Sequence, residues 1–109
     1  MYPTLFTTPG VKTFAEAIDT ERQAQLAKFG DQKHPDGTSN DPTSRLMRDS
    51  ARFLCELAAQ RGDVTWARIL DEECREVMAE TDPAKLRAEL VQVAAVCAAW
   101  IHDLDRRAA

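Results

Sequence analysis

Thr65-Trp66-Ala67-Arg68-Ile69-Leu70-Asp71-Glu72-Glu73-Cys74-Arg75-Glu76-Val77-Met78-Ala79-Glu80 is followed, after one threonine, by Asp82-Pro83-Ala84-Lys85-Leu86-Arg87-Ala88-Glu89-Leu90-Val91-Gln92-Val93. Apolar residues recur three and four apart in both segments, which is the period of an amphipathic helix. Thr65 is placed to cap a third helix running from Trp66 to about Glu80. Asp82-Pro83 opens a fourth, with proline in its first turn, running to about Arg106. Each residue advances about 100° around a helix. Glu73 therefore falls inside the stripe of Trp66, Ile69, Leu70 and Val77, with Glu76 and Glu80 on its border and Glu72 farther round. Glu89 falls inside the stripe of Leu86, Val93, Val96 and Trp100, with Gln92 on its border.

A helix whose acids need only solvation keeps them opposite its apolar face. Glu73 and Glu89 break that rule, and a carboxylate on an apolar face needs a partner or a proton. If the two helices pack antiparallel, their oxygens converge. Magnesium, which prefers hard oxygen ligands, would suit that place. So would a basic side chain from elsewhere, and Arg22, Lys28, Arg45, Arg48 and Arg52 are available. The residues alone leave both partners open.

Upstream, Asp41-Pro42 opens a second helix, for which Leu46, Phe53, Leu54 and Leu57 supply an apolar face, and Gly62 stops it. Thr13-Phe14-Ala15-Glu16 has the form of a capping box, so a first helix is expected over Phe14–Lys28, ended by Gly30. Residues 1–12 read as an arm. Residues 30–42, Gly-Asp-Gln-Lys-His-Pro-Asp-Gly-Thr-Ser-Asn-Asp-Pro, form a long loop without an aliphatic side chain, a kind that is often functional. There is no strand-like alternation and no internal repeat. The fold expected is all-α: an antiparallel four-helix bundle in one domain, residues 13–109.

The totals agree. A chain of 109 residues, 44% hydrophobic and 29% charged, has the make-up of an ordinary soluble domain. Residues 1–10 lack the basic and apolar regions of a secretory signal, and no apolar run is long enough to span a bilayer. Cys55, Cys74 and Cys97 are too scattered for a disulfide framework and read as reduced core residues of a cytoplasmic protein. A net charge of −4 argues against sequence-independent nucleic-acid binding and leaves a helix-turn-helix reading remote.

The order Glu72-Glu73-x-x-Glu76, then a gap, then Glu89-x-x-Gln92 resembles the signature of the MazG-like all-α nucleotide pyrophosphohydrolases, where the last position is aspartate. The surrounding AKFGDQKHPDGT, TWARILDEE and DPAKLRAELVQVAAV resemble small phage and actinobacterial members, over roughly residues 14–107. The resemblance implies magnesium-dependent hydrolysis of a nucleoside triphosphate to the monophosphate and pyrophosphate, with manganese as a substitute metal. It makes Glu73, Glu76 and Glu89 the metal ligands, and Glu72 the residue that orients or deprotonates water. It also implies a bundle completed by oligomerisation, as a homodimer or homotetramer. Gln92 brings an oxygen but no charge. Two alternatives follow: a weakly active or non-catalytic nucleotide-binding relative, and a regulatory helical bundle that binds another protein.

Around the glycine turn, Lys28 and Lys33 are candidate phosphate contacts, Gln32 and His34 candidates for the base or a phosphate, and Phe29 a candidate stacking platform. The competing reading is a solvated turn with Phe29 anchored in the core. His102 reads as an exposed helix residue.

Overall fold

A computed structural model of the chain describes residues 5–108, with side chains through residue 107. The part of the expected arm over residues 1–4 lies outside the described residues. Four helices follow one another: α1 Val11–Phe29, α2 Pro42–Arg61, α3 Trp66–Met78 and α4 Pro83–Ala108. No strand occurs among the described residues, so the fold is all-α, as the periodicity predicts. No helix among them is long and apolar enough to cross a membrane. The chain divides into two compact units. One, residues 36–97, holds α2, α3 and the first part of α4. The other holds α1 and the last part of α4.

In the first unit the helix ends are chemically specified. Asp41 Oδ1 accepts a hydrogen bond from the Ser44 N–H at 2.8 Å, and Pro42 occupies the first turn. Gly62 ends α2 in the left-handed region, at φ 73°, a conformation that favours glycine. Thr65 Oγ1 accepts from the Arg68 N–H at 3.2 Å and starts α3. The connection is short, and Cys55 and Arg52 of α2 meet Glu72 and Glu76 of α3 respectively. Residue numbers thus fall on one helix as they rise on the other, so α2 and α3 form an antiparallel pair. Glu80 Oε1 accepts from the N–H groups of Thr81 and Asp82, and Asp82 Oδ2 accepts from the Lys85 N–H at 3.0 Å. These bonds make the turn into α4. The end of the long loop is tied down where the Ser39 N–H donates to the Met78 carbonyl at 3.1 Å.

The buried face of α2 is not the one expected. Leu46 and Phe53 are 66% and 63% exposed, Leu54 is exposed and Leu57 half-buried. Ala51, Cys55 and Ala58 are buried instead. Small side chains at i, i+4 and i+7 let two helices approach closely, and the larger side chains of the other face would hold them apart. Val77 and Ala79 at the end of α3 and Leu86 of α4 complete this unit's core.

In the other unit the expected capping box at Thr13 is not used. α1 begins three residues earlier, at Val11, behind Gly10 at φ 86° and without a side-chain cap. The Val11 N–H donates to the Thr8 carbonyl at 3.2 Å, so a turn through Gly10 starts the helix. His102 of α4 is half-buried rather than exposed, because it lies over this turn. A Cβ at position 10 would come within 2.7 Å of its ring. Gly10 is therefore required by space as well as by backbone angle.

Candidate functional site

The acids fall in one unit and on two helices. α3 carries Glu72, Glu73 and Glu76, and α4 carries Glu89, all half-buried. Glu73 is the centre. Its Oε2 is buried without a hydrogen-bond partner. Burial raises its pKa above the usual glutamate range, and the negative charges of Glu89, Glu72 and Glu76 raise it further, in that order. Glu89 is also raised, first by burial and then by Glu76 and Glu80, with Arg52 opposing. The two acids that the sequence places inside apolar stripes are thus the two held above their ordinary protonation range.

Their neighbours are better satisfied. Arg52, reaching from α2, forms an ion pair with Glu76, which raises the arginine's own pKa. The Cys55 thiol donates to the Glu72 carboxylate. Burial, that bond and the adjacent charge push the thiol up to about 11, so Cys55 is a neutral donor and not a nucleophile. Of the three free cysteines, Cys55 is buried and Cys74 and Cys97 are half-buried.

A pH dependence follows from Glu73. A carboxyl whose pKa is higher folded than unfolded binds more protons in the folded chain, so its contribution to stability falls as pH rises. That fall begins near the ordinary value of 4.5 and is complete above the raised folded value. In the absence of divalent metal, wild type is expected to lose stability relative to Glu73→Gln as pH rises above about 4.5. Melting curves of both proteins across that range measure the difference. Parallel curves would show that Glu73 titrates normally.

Glu73 and Glu89 have the hard oxygen chemistry that a divalent cation takes. An unpartnered buried oxygen, and two carboxyls raised first by burial and then by neighbouring acids, are what a hard cation relieves. The three-carboxylate set is not assembled, since Glu76 is engaged by Arg52. Among the described residues no group of three or more His, Cys, Asp or Glu side chains is arranged to hold a metal ion.

The remaining expected residues lie elsewhere. Gln92 is exposed on α4, three residues beyond Glu89. Lys28, Phe29, Gln32, Lys33 and His34 are all exposed and belong to the other unit. Phe29 does not anchor a core. It is 58% exposed, with Lys28 Nζ 5.1 Å from its ring centroid in a cation–π contact. A shallow cavity of about 200 Å³ opens at the α2–α3 elbow, among Leu54, Leu57, Arg61, Asp63 and Arg68, and includes none of the acids named above.

Two features escape the sequence reading: the pairing of Arg52 with Glu76 rather than with Glu73 or Glu89, and the use of Glu80 as a turn cap. The small-residue spacing Ala51, Cys55, Ala58 was the available signal. It turns Arg52 toward α3 along the border of the buried face. Compared with protein-family models, with curated proteins and with solved structures, the chain finds no match.

Proposed function

We propose that the chain is a magnesium-dependent hydrolase that converts a nucleoside triphosphate to its monophosphate and pyrophosphate. The observation that carries this reading is the buried, unpartnered oxygen of Glu73 amid Glu72, Glu76 and Glu89. The order of these acids, and its resemblance to the MazG-like pattern, supports the choice of reaction. Glu73 and Glu89 would hold the ion, joined by Glu76 on release from Arg52, and manganese would substitute. Bound there, the ion would neutralise triphosphate oxygens and lower the pKa of a water. Glu72, beside the Cys55 thiol, would orient that water toward the α-phosphorus and take its proton. Lys28 and Lys33 are the candidate phosphate contacts, with Phe29, Gln32, His34 and Gln92 the candidates for the rest of the nucleotide. The active species would be a cytoplasmic homodimer or homotetramer.

Gln92 favours a second reading, a relative that binds nucleotide but cleaves it slowly, since a neutral amide cannot replace the charge of a carboxylate. A purely structural role for the acids is less well supported, because among the described residues the buried Oε2 of Glu73 has no hydrogen-bond partner.

A panel of nucleoside triphosphates with magnesium, reading monophosphate and pyrophosphate together, tests the proposal. Equal amounts of the two products are expected from at least one nucleotide, with magnesium raising the melting temperature of the wild-type chain. Binding without products, measured by calorimetry, would establish the second reading. If no nucleotide bound and magnesium left melting unchanged, both would fall.

A further inference from the structure

Arg52 reaches from α2 into the field of the acids. Its Nη2 donates to Glu76 Oε1. The negative charges of Glu76, Asp49 and Glu72 all act on it, that of Glu76 most. Its own charge offsets part of the repulsion at Glu89 on α4. Two other arginines of the same unit are engaged elsewhere, Arg48 with Asp49 and Arg75 with Asp71. Lys28 and Lys33 belong to the other unit. Arg52 thus places a positive charge at the rim of a group of carboxylates that repel one another.

The pair is lopsided. The Glu76 side chain is 20% exposed and that of Arg52 45%. The carboxylate sits within the cluster, and the guanidinium comes to it from the solvent side. An ion pair this open to water is weak, because water screens it and a long side chain gives up its freedom to hold it. It also leaves the cluster incompletely neutralised, since Glu73 Oε2 is buried and receives no hydrogen bond. Glu76 serving a divalent ion together with Glu73 and Glu89 would set that ion against Arg52 as a like charge. Arg52 and a divalent cation are therefore competitors for one carboxylate.

Once released, Arg52 stays attached to α2 beside the acids. Its guanidinium is a planar fork of five N–H donors, which matches the oxygens of a phosphate. We propose that Arg52 is an exchangeable counter-ion: it holds Glu76 in the metal-free chain, gives Glu76 up to a divalent ion, and then pairs with the triphosphate. The proposal rests on the metal-dependent reading of the acids and adds a coupling to it. Arg52 opposes metal alone, and a triphosphate, by giving Arg52 a new partner, relieves that opposition.

Exchange predicts opposite responses of two ligands to the loss of one side chain. Manganese alone, followed through the electron paramagnetic resonance of the free ion, is expected to bind Arg52→Met at least about tenfold tighter than wild type, because its competitor is gone. The manganese complex of inorganic tripolyphosphate, titrated by calorimetry into the manganese-saturated full chain, is expected to bind Arg52→Met at least about tenfold more weakly, because a charge-assisted contact is lost. Arg52→Lys keeps the charge without the fork and is expected to fall between the two in both measurements. Adding Glu76→Gln to Arg52→Met is expected to abolish the gain in manganese affinity, since the gain passes through Glu76. Circular dichroism checks the fold, and Arg52→Gln replaces Arg52→Met if that variant does not fold. A merely structural arginine would weaken both ligands when removed, and that result would overturn the proposal. So would manganese affinity equal to that of wild type, or tripolyphosphate affinity equal to it. If neither wild type nor Arg52→Met bound manganese, the metal-dependent reading would fall as well.

Discussion

Glu73→Gln is expected to reduce magnesium-dependent pyrophosphate release at least about a hundredfold while leaving the fold intact. The size follows from the role proposed for this carboxylate. Outer-shell partners of metal ligands are commonly worth 10- to 100-fold in affinity or activity, and a ligand itself is worth at least as much. The direction on stability is opposite. Glutamine keeps the shape but removes a buried charge that burial and three neighbouring acids all oppose. Without metal, melting near neutral pH is therefore expected to be unchanged or higher, and magnesium is expected to lose its stabilising effect. Loss of activity and preserved stability together separate a functional carboxylate from a structural one. If Glu73→Gln releases pyrophosphate at the wild-type rate, the metal-site assignment is wrong. Glu89→Gln is expected to act in the same direction. Its relief of charge is smaller, because Arg52 already offsets part of the repulsion at Glu89.

Leu86→Ala is expected to destabilise the chain by about 2–5 kcal/mol, the usual cost of removing a buried leucine from a packed core. Leu86 is 8% exposed in the first turns of α4, in a core otherwise made of alanine, cysteine and valine. Alanines and a cysteine contribute little transfer free energy of their own, so one leucine carries a large share of the apolar burial. Domains of this size are stable by only about 5–15 kcal/mol, and the loss is therefore a large fraction of the whole. Urea denaturation of the monomer measures it. Leu46→Ala supplies the contrast. It deletes the same atoms from a side chain 66% exposed, and at concentrations where the chain is monomeric it is expected to change stability by no more than about 0.5 kcal/mol. Equal effects of the two substitutions would contradict the burial pattern described above.

Much of the secondary structure was written locally. Asp41 with Pro42, Gly62, Thr65, and Asp82 with Pro83 each start or stop a helix at or beside the expected position, because capping is a matter of backbone hydrogen bonds a few residues away. Thr13 is the exception. Its box was legible, but Gly10, held under His102 from the far end of the chain, starts the helix first. The acids were legible for a related reason. A carboxylate on an apolar stripe can be read from the 3.6-residue period alone, and Glu73 and Glu89 are the pair whose pKa values burial raises.

What the sequence determined by itself, then, is the all-helical class, most of the helix ends and the misplaced charges, since each depends on neighbours within one or two turns. Which face of α2 turns inward, and which acid receives Arg52, were decided only in three dimensions. Hydrophobicity ranks Leu46 and Phe53 above Ala51, Cys55 and Ala58, but helix–helix contact rewards close approach, and small side chains permit it. Once that face is chosen, Arg52 lies beside α3 and reaches Glu76, while Glu73 is left inside the cluster with a buried oxygen that no side chain among the described residues satisfies.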